Sequence, residues 1–173
     1  MDNKIVTSSK TGREQEIKSL IGNLGCSDRI TCDEIRAKLM HIGEPAVPQL
    51  TEAFITRELE EKIQAAKTLA GIGDKKSLVF LIESLRSDDF EIRYAAIEGL
   101  PLAGEKAIIP LLRKLIEHGN ELNFRLIAHV VLHQIAELGY VKMLKPVLVA
   151  LEGPELTAPL AAHKVLEKLG QAE

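Results

Sequence analysis

Apolar residues recur along this chain with a helical period, and each apolar run stops at a glycine. Between positions 92 and 103, Ile92, Ala95, Ala96, Gly99, Leu100 and Ala103 are spaced three and four apart, which places them on one helix face. Runs of this kind end at Gly43, Gly73, Gly104, Gly139 and Gly170, in steps of 30, 31, 35 and 31 residues. Four residues before each glycine stands Leu39, Leu69, Leu100, Ile135 or Leu166. Eight before stands Ile35, Ala65, Ala96, Val131 or Ala162. The series predicts helices that end where glycine adopts a left-handed conformation that a Cβ would oppose. It also marks the chain as a repeat, one helical unit per period.

A second helix is predicted after each of the first four glycines. Leu78, Leu81, Ile82 and Leu85 give its apolar stripe, with Ile109, Leu112, Arg113 and Ile116 as counterparts 31 residues on. Pro48, Pro110 and Pro146 recur near the starts of these helices, where a missing N–H costs nothing. The expected pairs are 31–42 with 45–56, 58–72 with 75–86, 89–103 with 106–118, and 121–138 with 141–151. A lone first-type helix, 158–169, is expected to close the chain, and an extra helix, 13–24, to open it. Residues 1–12 and 171–173 read as tails. Thr31 with Glu34, and Asp88 with Glu91, have capping-box spacing, and Thr157 reads as a cap. Pro101 should kink or shorten the helix it enters.

Composition agrees with close-packed helices. Of the 173 residues, 46% are hydrophobic but only 3% aromatic, with no tryptophan, so the core must be Leu, Ile, Val and Ala. The formal charge of −3 gives no electrostatic case for nucleic acid. No apolar run reaches membrane-spanning length, and the first dozen residues lack an apolar signal core, so a cytoplasmic protein is expected. Cys26 and Cys32 are too few for a disulfide framework and are expected to be reduced structural thiols. A local bridge or redox switch is the alternative reading.

The stretches Ala65–Gly73, Ala95–Leu100 and Ala107–Leu112 resemble the short HEAT-like repeats named after phycobilisome lyases. The resemblance covers about residues 31–170. It implies an all-α fold, a right-handed α-solenoid of about four and a half antiparallel helix pairs, forming one domain over 13–170. It implies a binding scaffold rather than an enzyme. Enzymes of this architecture carry marks that can be sought. Deoxyhypusine hydroxylases hold iron with His-Glu dipeptides, and this chain has only the reverse, Glu117-His118. HEAT-like alkylpurine DNA glycosylases use aromatic residues, tryptophan among them, and a basic groove, which this acidic chain does not offer. A bilin-lyase-like accessory role is the alternative that the repeat name suggests.

No phosphate loop, nucleophile elbow or Ser-His-Asp set is present, and no cofactor is expected. Glu60-Glu61 and Asp88-Asp89 read as helix-start charges. His129 and His133 share a helix face at a metal-binding spacing but lack a third ligand at that spacing, so no metal is expected. Their helix is apolar almost all round, which reads as burial between neighbouring repeats, or as a dimer or partner surface around Leu126 and Val130. The remaining candidate is a ladder of cations, Lys75, Lys106 and Lys142, one per second helix. They stand near helix N-termini, where a positive charge opposes the macrodipole, so helix stability does not explain them. The resemblance places second helices on the concave face of a solenoid. Lys75, Val79, Ile82, Lys106, Arg113, Lys114 and Lys142 are thus the expected contacts for a protein or peptide partner of acidic, partly apolar character. A homo-oligomer is compatible with the same reading.

Overall fold

The computed structural model describes residues 3–154 and 156–171, with side chains from residue 12 onward. Among the described residues it is helical, with no strand. The helices are α1 (Asn3–Ile21), α2 (Arg29–Ile42), α3 (Val47–Thr56), α4 (Leu59–Ile72), α5 (Lys75–Ser84), α6 (Phe90–Gly99), α7 (Glu105–His118), α8 (Leu122–Ile135), α9 (Val141–Leu151) and α10 (Thr157–Lys168).

The glycine pattern governs the backbone as expected. Gly43, Gly73, Gly104, Gly139 and Gly170 are the described residues with positive φ. All ten apolar positions four and eight residues before them are buried. Together with the second-helix stripes they form one continuous core that includes Leu39, Leu69, Leu100 and Ile135. Helix starts differ in detail from the expected capping boxes. Asp28 caps α2 by accepting from the Thr31 amide, and Asp89 caps α6 by accepting from Glu91 and Ile92. Thr157 lies inside α10 and its hydroxyl donates to the Ala150 carbonyl at 2.8 Å.

Pro101 shortens its helix, as its missing N–H requires. α6 ends at Gly99, and Leu100–Ala103 continue as a 3-10 turn. After α8 the chain passes through a π-helical turn, Ala136–Tyr140, before α9. The N-terminal reading changes: the backbone is helical from Asn3, so most of the expected tail is the first part of α1. Residues 1, 2, 172 and 173 of the expected tails lie outside the described residues.

The first helices α2, α4 and α6 pack in sequence order, most extensively α4 on α6. A Cβ on Gly99 would come within 2.6 Å of the Ala66 carbonyl carbon, so this glycine is what lets the two backbones approach. α8 rests more on the 3-10 turn than on α6 itself. α10 departs from the expected order: it packs between α7 and α9 on the second-helix side, not on α8. Pro159 of α10 sits against Gly119, and Arg113 of α7 donates to the Gln171 carbonyl at 3.3 Å.

Candidate binding surfaces

A groove of about 660 Å³ crosses the outer side of the first helices. Its walls come from four successive units: Arg36 on α2, Gln64 and Lys67 on α4, Glu98 on α6, Leu102 on the 3-10 turn, and Gln134 on α8. Such residues recur at spacings of three and four because the opposite face of each helix is committed to the core. At one end the groove is a polar network. The Arg36 guanidinium donates to Gln64 Oε1 at 2.6 Å and also to Asp33. Gln64 in turn donates to Glu60 Oε1 at 2.8 Å. Gln64 is buried, so these bonds hold its amide in place. At the other end the walls are Leu102 and Leu138, both more than half exposed.

Cys26 and Cys32 border the polar end, and they are joined by a disulfide with Cα atoms 5.8 Å apart. This corrects the expectation of free thiols. The bend between α1 and α2 brings the two residues together, so the bridge ties the first turn of α2 to the chain just before it.

The lysine ladder is reordered by the structure. The buried second-helix residues align at a step of 30, not 31: Leu78, Leu81, Ile82 and Leu85 with Ile108, Leu111, Leu112 and Leu115. The reason is the turn. Asp74 stands between Gly73 and α5 and caps it, whereas Gly104 is itself the N-cap of α7. The in-register cations are therefore Lys76, Lys106 and Lys142, each the second residue of its helix, and Lys75 is one position off. All four lysines are exposed, with no carboxylate among the described residues in ion-pair contact. They lie at the glycine turns, and the Lys106 side chain reaches back over Gly73.

The other expected contacts fare unevenly. Ile82 is buried in the core and unavailable to a partner. Lys114 is mostly covered and bridges Glu83 and Glu117; burial lowers its pKa, but the two carboxylates outweigh that and hold it above the usual lysine value. Arg113 is engaged with the end of the α10 segment. Val79 is 45% exposed. Sequence reasoning passed over Arg36, Gln64, Lys67 and Glu98, polar residues set between the core positions of the first helices.

Polar links between units are concentrated at the ends of the helices. Buried Lys62 on α4 pairs with Glu91 on α6 at 2.9 Å. Arg86, just past α5, donates twice to Glu121 before α8, at 3.0 and 2.9 Å, and His118 Nδ1 lies 2.7 Å from the same carboxylate. The Arg86 bonds first, then His118, hold Glu121 below the usual carboxylate range. His129 and His133 face each other edge-on with ring centres 6.3 Å apart. His129 is 3.9 Å from Glu152 and His133 is 3.7 Å from Glu137, and no cluster of three potential ligands is found among the described residues. Among those residues, no helix is long and apolar enough to cross a membrane.

Residues 47–132 match the family model of HEAT repeats. No curated protein matches the chain.

Proposed function

Because this chain is a HEAT-like repeat protein, we propose that it is a non-catalytic scaffold that binds a protein or peptide partner. HEAT repeats commonly serve this purpose, since stacked units offer a long surface with little chemistry of its own. The all-helical stack is read as a short superhelix of about four and a half units, with α10 folded back on the second-helix side.

The observation that carries the proposal is the groove across four first helices. Arg36, Lys67, Glu98 and Gln134 offer polar groups and charges of both signs, and Leu102 with Leu138 offer an apolar end. This combination suits an extended segment with backbone and polar contacts along most of its length and one apolar anchor. The groove thus replaces the second-helix face as the first choice of binding surface.

A second reading keeps the lysine row Lys76, Lys106 and Lys142, because none of the three is paired with a carboxylate among the described residues. It would attract an acidic partner along the turn edge. Photo-crosslinking groups at Glu98 and at Lys142, in extract of the native cell, distinguish the two. Cross-links from position 98 that disappear with Lys67→Glu support the groove. Cross-links from position 142 alone move the site to the lysine row, and none from either position overturns both.

The bridge bears on location. Disulfides persist in oxidising compartments or at redox-active sites, which sets Cys26–Cys32 against the cytoplasmic expectation. The fraction of protein that resists alkylation on rapid acid quenching of its own cells decides between them.

A further inference from the structure

The two halves of the Cys26–Cys32 bridge are not equivalent. Cys32, near the start of α2, is 5% exposed. Cys26, in the bend before α2, is half-buried and borders two hollows. One is the groove across the first helices, and the other, of about 580 Å³, lies between α1, α2 and the start of α4. The Cys26 side of the bridge is thus reached from two directions, while Cys32 is covered. Stability does not explain the pair. The two cysteines are 6 positions apart, and closing so short a loop removes little freedom from the unfolded chain. α2 also has a start of its own, because the Thr31 amide donates to Asp28 at 2.9 Å. Opening of the bridge is accommodated as well. The Cys26 carbonyl lies 3.1 Å from Cys32 Sγ, and the Leu24 carbonyl 3.7 Å from Cys26 Sγ, so each sulfur has an acceptor at hand once it is a thiol.

We propose that Cys26 is a thiolation site, at which a low-molecular-weight thiol exchanges into the bridge and forms a mixed disulfide facing the groove. The thiolate of the small thiol attacks Cys26 Sγ. The new S–S bond forms as the Cys26–Cys32 bond breaks, and the electron pair leaves on Cys32 Sγ. That sulfur takes a proton from solvent and donates to the Cys26 carbonyl. The reverse attack, by the Cys32 thiolate on Cys26 Sγ, expels the small thiol and restores the bridge, with no net oxidation or reduction. Exchange in the opposite sense is disfavoured because access decides which sulfur is attacked, and Cys32 is the covered one. Around the pair the groove carries Arg29, Arg36 and Lys67 against Asp33, Glu60 and Glu98. Charge of one sign is therefore not selected, and a thiol that bears both an amine and carboxylates matches the site. The site does not depend on the groove binding a protein partner: Lys67→Glu tests the groove, and the cysteine chemistry tests this proposal.

Peptide mapping of the folded full chain, treated with excess reduced glutathione and quenched in acid, reads the result. Glutathione should be found on Cys26 with a free thiol at Cys32, a preference of about tenfold or more. In Cys32→Ser, oxidised glutathione should load Cys26 while the helical spectrum is retained. In Cys26→Ser, Cys32 should load about tenfold more slowly or worse. The wild-type map needs neither variant, and Leu100→Ala supplies a second measurement. Attack at Cys26 needs no global unfolding, so the bridge should open at the same rate in Leu100→Ala as in the wild type. An opening rate that rises with the unfolded fraction overturns the proposal. So does an adduct shared equally between the cysteines or found first on Cys32, or a bridge that glutathione opens only in denaturant.

Discussion

The α4–α6 contact and the outer side of α8 use the same repeat to opposite ends. At α4–α6 the facing residues are small: Ala65, Ala66, Ala95, Ala96 and Gly99 are all buried. Small side chains bring the helix axes together, and the contact becomes the most extensive between any two helices. Around α8 the residues turned outward are large, Leu122, Leu126 and Val130, and they are left exposed by the other helices among the described residues. Pro101 contributes to the difference, because by ending α6 early it leaves α8 to lean on a 3-10 turn. Stability should therefore sit in the middle of the stack rather than on the outer side of α8.

The largest test of that division compares two leucines. Leu100 is fully buried between the units, and Leu100→Ala should cost about 2–5 kcal/mol by transfer and cavity terms. Leu126, at 57% exposure, should cost the isolated chain less than about 0.5 kcal/mol when truncated to Ala. Denaturant unfolding of both at low protein concentration checks it. Equal losses would mean that Leu126 is buried like Leu100.

Next is the close approach itself. Gly99→Ala puts a methyl against Ala66 and within 2.9 Å of the Lys67 amide nitrogen, with backbone rather than a flexible side chain in the way. The expected loss is about 1–3 kcal/mol, whereas Gly12→Ala, with nothing within 4 Å, should show none from crowding. A neutral Gly99→Ala would show that the two helices can slide apart freely.

Much of this was legible from sequence, and the failures have physical reasons. The positions four and eight before each glycine are buried because local periodicity and the stop signal both sit within one helix. The lysine register failed by one residue because it depends on turn length: Asp74 is inserted between glycine and helix in one unit and has no counterpart in the next. The placement of α10 failed because its own pattern is that of a first helix, and only packing against α7 and α9 decides its layer. Ile82 was misassigned as a contact although its stripe with Leu78, Leu81 and Leu85 already marked it as core. On a helix that is apolar almost all round, burial between repeats was the first reading and a surface around Leu126 and Val130 the alternative; both of these residues are exposed. The cysteine bridge depended on a bend that spacing alone does not specify.

That bridge supplies a smaller test, at the opposite end of the molecule from α8. It closes a short loop, so reduction should lower stability by up to about 2 kcal/mol. The loss should fall on α1 and α2, seen as faster amide exchange around Ile17, Ile21 and Ile35, with α8 unchanged. Exchange that rises equally in α8 would show that the two ends unfold as one unit.

The smallest expected effect concerns the charge bridge that fastens the entry of α8 to the middle of the stack. Glu121 accepts from Arg86 and lies beside His118, and both hold its carboxyl below the usual carboxylate range. A carboxyl with a lowered folded pKa stabilises the fold above its unfolded pKa, and that contribution is lost as pH falls through the folded value. At neutral pH the bridge should therefore be fully present, and it should fade only on acidification below the ordinary carboxylate range. Both partners are well exposed, so solvent screening keeps the contribution small and salt-sensitive. A carbon-detected titration of Glu121 should show a midpoint below the usual glutamate value, returning toward it in Arg86→Gln while the helical content stays constant. If the midpoint does not move in Arg86→Gln, the arginine is not what holds Glu121 ionised. The start of α8 would then be held by His118 and by packing.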